Sequence, residues 1–197
     1  IQQGEDMARG SPLTQNNATS VFIELAQEIV PDLKQSAKII NSKRSLPSTL
    51  SEAMLKRGLF KLLVPKSVGG NEIDYLEFLE VLEIISKVDG SVGWCINQNN
   101  VLATIAAFMP KELAIKIWSD DMAVLSNGSA VSAEAIPAEK GFLLGGRWNF
   151  SSGFSQATWV VALTPIRGSG ESTPEMRNML IPKGQVDMVD AVSYTHL

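Results

Sequence analysis

Across positions 20 to about 41 the apolar residues Phe22, Ile23, Ala26, Ile29, Val30, Leu33, Ala37 and Ile40 recur near every 3.6 residues, which is the period of one helix face. Ser20 stands ahead of them as an N-cap, and Pro31, which lacks an N–H, predicts a bend or interruption within the helix. "LPSTLSEAMLKRGLFKLLVP" predicts a second helix, capped by Ser48 with Glu52 near enough for a capping-box variant, and stopped by Gly58. After the turn "PKSVGG", Asp74 caps a third helix, "YLEFLEVLEIISKV". Its pattern turns Leu76, Leu79, Val81, Leu82 and Ile85 inward and leaves Glu77, Glu80 and Glu83 in water. Asp89 and Gly90 end it. From about 91 through 108 nearly every residue is apolar or small, which places a fourth helix in the middle of a bundle. A fifth, "PKELAIKIW", begins with Pro110 at its first helical position.

After Asp120 the pattern changes to short β-rich runs, "MAVLSNG", "AEAIPAEKGFLLGGRWNFSSG", "TWVVALTPI" and "MRNMLIPKG", parted by Gly, Pro and Ser. Helices first and strands afterwards define an α+β chain with two domains, an all-helical one over 18–120 and an antiparallel β domain over 121–191. The aperiodic polar run 1–17 reads as a disordered leader with Met7 as an alternative start. The closing "VSYTHL", 192–197, resembles one frame of a common sequencing-adapter end, and is set aside as a cloning scar. "RGSGESTP" reads as a flexible hairpin tip.

The chain has 197 residues, 45% of them hydrophobic and 19% charged, with a net charge of -4. No basic stripe exists to neutralise phosphates, so nucleic acid is not an expected partner. Cys95 is the only cysteine, which rules out an internal disulfide, leaves a Cys/His zinc site without ligands and points to a reducing, cytoplasmic setting. No apolar run approaches the roughly 20 residues of a membrane helix. The only histidine, His196, lies within 192–197, so no Ser-His or Cys-His pair is expected. No P-loop sequence is present, and "LLGGRW" lacks the strand-to-helix step of a dinucleotide fingerprint. Asp120 and Asp121 read as a solvated turn. No catalytic residue is assigned.

Three stretches carry candidate chemistry. In "GGRWNFSSGFSQATWVV" two glycines permit a turn or a close approach, and Ser151, Ser152 and Gly153 present hydroxyls and N–H groups at a strand end. Trp148 and Phe150 add flat apolar surface. That set describes either a turn with core aromatics or the edge of a slot for a flat ligand. "VLSNGSAVS" is a turn signal in its own right and offers Ser126 and Ser129. "SVGWCINQNN" sets Ser91, Trp94, Asn97 and Asn100 on a helix too apolar to face water throughout, so buried polar groups there must find partners. Cys95 reads as a small buried hydrophobe, with no cation or histidine to lower its pKa.

"GLFKLLVPKSVGG", "DGSVGW", "GFLLGGRWNFSSGFSQATWVV" and "MLIPKG" together resemble the acyl-CoA dehydrogenase superfamily, most closely its flavin-dependent monooxygenase branch, the oxygenase components of two-component aromatic hydroxylases. The resemblance runs over about 20–190. It implies a helical domain, a β-barrel-like middle domain and a C-terminal helical bundle that is missing here, so that the chain is a truncated fragment without turnover and with weak flavin binding. It implies FAD or FMN, used in reduced form as cosubstrate, a separate flavin reductase, a small aromatic substrate and a homotetramer at full length. Ser151 then falls close to flavin N5 with Ser152 beside it, Trp148 and Phe150 flank the ring, and Ser126 or Ser129 reaches the pyrimidine end. Trp94, Asn97 and Asn100 line the substrate cavity. Two departures stand out: Asn127, Gly128 and Ser129 replace the usual Pro-Gly or Pro-Thr-Gly, and asparagines stand where a substrate-contacting histidine is common. An amide orients a hydroxyl but exchanges no proton near neutral pH. An acyl-CoA dehydrogenase whose carboxylate base lies in the absent bundle is the alternative enzyme, and a non-catalytic helical interaction module the alternative outside enzymes.

Overall fold

The computed structural model describes residues 20–168 and 173–189. The leader, the 192–197 end with His196 and the middle of "RGSGESTP" lie outside the described residues.

Helix α1 spans Val21–Lys43, and Ser20 caps it by accepting from Phe22 N at 3.2 Å. The interruption expected at Pro31 does not occur. Its ring lies on the exposed side while Ala26, Ile29, Leu33 and Ile40 are buried, and four such burials, at about 1–3 kcal/mol each, outweigh the roughly 3 kcal/mol cost of an interior proline. Helix α2, Ser48–Lys56, starts one residue earlier than its cap predicts: Pro47 occupies the N-cap, and no side chain caps it. Gly58 follows its end with φ 70, in the left-handed region that glycine tolerates.

Helix α3, Tyr75–Ser86, is capped by Asp74, which accepts from Leu76 N at 2.8 Å. Its buried stripe is Phe78, Val81 and Ile85, whereas Leu76 is 68% exposed and Leu79 is also exposed. Helix α4, Gly90–Ala103, continues as a 3-10 segment over Thr104–Phe108. It is not buried all round as its composition predicts. Val92, Gly93, Ile96, Asn99, Asn100 and Ala103 face the core, while Trp94 at 53% and Phe108 at 88% are exposed. At Gly93 a Cβ would lie 2.0 Å from Ser86 Oγ, so α3 and α4 approach too closely for any side chain there. Pro110 is the N-cap of α5, Lys111–Trp118, one step ahead of its expected place.

The β half departs further from expectation. Its strands are β1 Leu125–Asn127, β2 Ser129–Ala138, β3 Gly141–Asn149, β4 Trp159–Pro165 and β5 Met176–Pro182. Among the described residues they form two open sheets, β1-β4-β5 and the β2-β3 hairpin, and no closed barrel. Nor is the half wholly antiparallel, because β1 runs parallel to β4, with Ser126 opposite Val160. The hairpin leaves after β1 and the chain returns along the same direction, which makes that one pairing parallel.

Two apolar clusters fill the interior. One lies among α1, α2, α3 and α4. The other joins Ala103, Ala114, Ile117 and Trp118 of the helices to Leu125 and Val161 of the three-stranded sheet. The change from helix to strand at about 120 therefore falls inside a shared core. Buried Lys61 braces the crossing, its Nζ donating to Trp118 O at 3.0 Å and to Asp121 Oδ1 at 3.2 Å. No helix among the described residues is long and apolar enough to cross a membrane.

Candidate functional site

Strand β3 ends at Asn149, and the next residue, Phe150, takes a left-handed φ of 59 with its ring 84% exposed. A bulky residue in that region costs about 1–2 kcal/mol, so its neighbours must hold it there. Ser152 N donates to Phe150 O at 2.8 Å and Phe154 N to Ser151 O at 3.1 Å, winding residues 150–154 into a tight turn.

That turn is anchored from both halves of the molecule. From β1, Ser126 Oγ donates to Ser152 O at 3.0 Å. From α4, Trp94 Nε1 donates to Ser152 Oγ at 3.2 Å. Asn99, also on α4 and 1% exposed, donates through Nδ2 to Leu125 O. Two glycines permit the closeness. A Cβ at Gly128 would lie 2.6 Å from Ser151 Oγ, and one at Gly153 would lie 2.8 Å from Asn99 Oδ1. The serine pair therefore sits where the helical half meets the sheet.

The expected site residues divide accordingly. Ser151, Ser152, Ser126 and Trp94 come together. Ser126 is buried and spends its hydroxyl on Ser152 O, so it holds the turn and has no free proton to reach a pyrimidine ring. Trp148 donates from Nε1 to Leu163 O at 3.4 Å, tying β3 to β4. Ser129 is exposed and pairs with Asn149 in the hairpin ladder. Asn97 is half-buried. Asn100 departs from its expected role. It is fully buried, its Oδ1 accepts from Leu62 N at 2.8 Å and Leu63 N at 3.4 Å, and its Nδ2 donates to Leu59 O at 2.8 Å and Ile96 O at 3.0 Å. An amide so saturated has nothing to offer a substrate.

The role of Asn99 and the close approaches at Gly128 and Gly153 are absent from the sequence reading, which takes both glycines only as turn residues. Asn99 carries the only signal available beforehand, a polar residue within an apolar helix. Its Oδ1 is buried and makes no hydrogen bond within the described residues.

Cys95 lies behind the turn, on a cavity of about 280 Å³ that Arg44, Ser91, Gly153 and Gln156 also line. Burial pushes its thiol pKa up, the nearby charge of Asp89 adds to this, and the backbone of Gly153 opposes it. A raised pKa means less thiolate at a given pH, so iodoacetamide at pH 8 should label Cys95 more slowly in the folded chain than in urea. Equal rates by mass spectrometry would show an open, reactive thiol.

The fold and the anchored turn define a class. The pattern of the acyl-CoA dehydrogenase N-terminal domain matches residues 18–118, and the chain belongs to that family. Among its relatives, the flavin-dependent monooxygenase oxygenase subunit HsaA of Mycobacterium tuberculosis (strain CDC 1551 / Oshkosh) is 26% identical over 90% of this chain and 45% of its own length. An indole-3-acetate monooxygenase of Acinetobacter baumannii is 32% identical over 70% of this chain and 36% of its own. Among solved structures, XiaF from Streptomyces sp. in complex with FADH2 and glycerol superposes with a TM-score of 0.81 at 23% identity, over 88% of this chain and 44% of that one. The chain thus spans less than half the length of the relatives it matches.

Proposed function

We propose that this chain forms the flavin-facing wall of an oxygenase component, a protein of its relatives' length that hydroxylates a small aromatic substrate. The observation that carries the proposal is the convergence of Trp94, Ser126 and the Ser151–Ser152 turn at the junction of the two halves. The residues fit a flavin. Phe150 and Trp94 expose flat apolar surface beside two hydroxyls and a strained backbone, which is the donor and surface set an isoalloxazine edge requires. The names of the relatives, a flavin-dependent monooxygenase oxygenase subunit and an indole-3-acetate monooxygenase, support the same chemistry.

In this reading Ser151 and Ser152 hold the N5 edge of FAD or FMN, Phe150 and Trp148 border the ring, Ser129 faces its pyrimidine end, and Ser126 keeps Ser152 in place. Trp94 orients the Ser152 hydroxyl and, with Asn97, meets the substrate. Bound in reduced form, the flavin supplies the two electrons that activate dioxygen. The protein's part is to exclude water and to fix the donors before the ring arrives, so that no reorganisation is required on binding. A separate reductase delivers the reduced flavin, and the whole protein is a cytoplasmic homotetramer whose helical and β domains meet near residue 120.

The test is anaerobic titration of the chain with reduced FMN and FAD, followed by flavin and tryptophan fluorescence. Ser152→Ala removes one hydroxyl and the acceptor of the Trp94 indole, and should weaken flavin binding about three- to tenfold, the worth of a single hydrogen bond. The Trp94 emission should shift even without flavin. Wild-type affinity in both Ser151→Ala and Ser152→Ala would remove the serine turn from the site.

A further inference from the structure

We infer that Lys183 is a positioning residue of the proposed flavin site, its ammonium holding the return leg of the serine turn so that the Ser151 and Ser152 hydroxyls stand fixed before the ring binds. The inference rests on the oxygenase reading and adds to it a residue outside the turn itself. It also gives a role to "MLIPKG", a stretch that the site as described leaves unused. Pro182 ends β5, and Lys183–Gln185 forms a single 3-10 turn behind it. Lys183 N donates to Thr158 O at 2.9 Å, one step past the last ladder pair, Trp159 with Pro182. The lysine therefore stands beside the segment that leads from the serine turn into β4. Its side chain runs back along that segment: Nζ donates to Ser155 O at 2.7 Å and lies 5.0 Å from the centre of the Phe154 ring. Phe154 N in turn donates to Ser151 O at 3.1 Å.

Among the described residues, two side chains donate to backbone carbonyls of 150–156. Ser126 bonds Ser152 O from β1, and Lys183 bonds Ser155 O from the end of β5. Those strands are the two edges of the sheet whose middle strand, β4, continues from the turn, so the turn is clamped from both edges of its own sheet. Little else holds the return leg. Residues 150–157 pair with no strand, and Ala157 N donates to Gly153 O and Phe154 O at 3.2 Å each. The residue type matters as well. Lys183 is half-buried and pairs with no carboxylate among the described residues, and burial pulls its pKa below the usual lysine value. A charge kept in such a place loses solvation. The bond to Ser155 O, strengthened by that charge, and the face of the Phe154 ring offset the loss, and both draw on the cation. A neutral side chain of similar length would cover the same apolar surface but leave Ser155 O and the leg around it unheld. Donors fixed ahead of binding need no reorganisation when the ring arrives.

The experiment compares Lys183→Met, which keeps the stem and removes the ammonium, with Lys183→Arg, which keeps a cation and its donors. In the 197-residue chain without flavin, amide exchange followed by NMR reads the turn directly. The Phe154 and Ala157 amides should exchange about three- to tenfold faster in Lys183→Met, the worth of one hydrogen bond, while Val161 within β4 exchanges as in wild type. Anaerobic titration with reduced FMN should show affinity weakened by about the same factor. Lys183→Arg should bring both readings back to within about twofold of wild type, and a thermal melt checks that each variant is folded. Unchanged exchange in Lys183→Met overturns the inference, because the stem alone then suffices, and so does an arginine variant as loose as the methionine one. Faster exchange with unaltered flavin affinity, in a chain whose Ser152→Ala variant binds flavin more weakly, removes Lys183 from the flavin site. If Ser151→Ala and Ser152→Ala leave the affinity unaltered too, the flavin reading of the turn falls together with the flavin half of this inference, and the exchange rates alone decide whether Lys183 holds the turn.

Discussion

Replacing Asn100 with leucine should lower the stability of the chain by roughly 3–4 kcal/mol, seen as a fall of about 10 °C in melting temperature. Leucine fills similar space but supplies no polar atom. Leu62 N and Leu59 O lose their partner inside the core, while Ile96 O keeps its own helical bond within α4. Two buried backbone groups orphaned at about 1–3 kcal/mol each set the size of the effect. The segment after Gly58 has no regular structure of its own, yet Leu59, Phe60 and Leu62 are all buried. The Asn100 amide holds one side of it, and Asn71 N, Ile73 N and Glu72 N hold the other by donating to Lys61 O, Leu62 O and Val64 O. Urea melts at two wavelengths would measure the loss and test whether it is cooperative. A change below about 1 kcal/mol would mean that apolar packing and the backbone bonds from 71–73 hold the segment without the amide.

Asn100 also shows where sequence reading stops. The run "SVGWCINQNN" announces that polar groups enter a core, because so apolar a helix cannot be wet all round. It does not announce which asparagine points which way. A 100° step separates Asn99 from Asn100, and that step divides the amide that bonds Leu125 O on β1 from the one that holds residues 59–63. The same ambiguity affects α3, where apolar residues occupy almost every position that is not glutamate. Its true inner stripe is set by α1 and α4 packing against it, and Leu76 and Leu79 lose their places to Phe78. Local signals fared better. Ser20 and Asp74 cap their helices, because a cap depends only on residues two or three positions away.

The sheet follows the same division between local and distant. Alternating runs locate strands, but they do not say that β1 pairs with β4 across the whole hairpin, nor that the pairing is parallel. An open sheet and a barrel read alike in single strands. The glycines are more telling. The doublet Gly145-Gly146 draws the eye, yet a Cβ at Gly145 would meet nothing within 4 Å, and Gly146 abuts only its ladder partners. The close approaches that matter for the site lie at Gly128 and Gly153, each of which looks like an ordinary turn residue in the sequence. A glycine that seats a side chain from another element leaves no mark that distinguishes it from one that merely turns the chain.

Gly153→Ala should therefore disturb the site more than loss of either serine. Its φ of 76 costs an alanine about 1–2 kcal/mol by itself. The new methyl would also lie 2.8 Å from Asn99 Oδ1, 3.0 Å from Asn99 Nδ2 and 3.1 Å from Gln156 Nε2. Asn99 has no room to yield, since its Nδ2 is bonded to Leu125 O inside the core. Either that bond breaks or the turn lifts away from α4, and in the second case Ser152 parts from Trp94 and Ser126 together. We expect a stability loss of roughly 2–3 kcal/mol and, on the proposed reading, flavin binding weakened by more than about tenfold, a larger effect than a single hydrogen bond produces. The double variant Asn99→Ala, Gly153→Ala separates the two causes. Without the Asn99 amide the methyl has space, so the contact disappears and only the φ strain remains. The double variant should then be more stable than the sum of the single losses predicts, by about 1 kcal/mol or more, a coupling of the size found between residues in contact. Additive losses would show that Gly153 is needed for its backbone angle alone, and that the turn does not rest on Asn99.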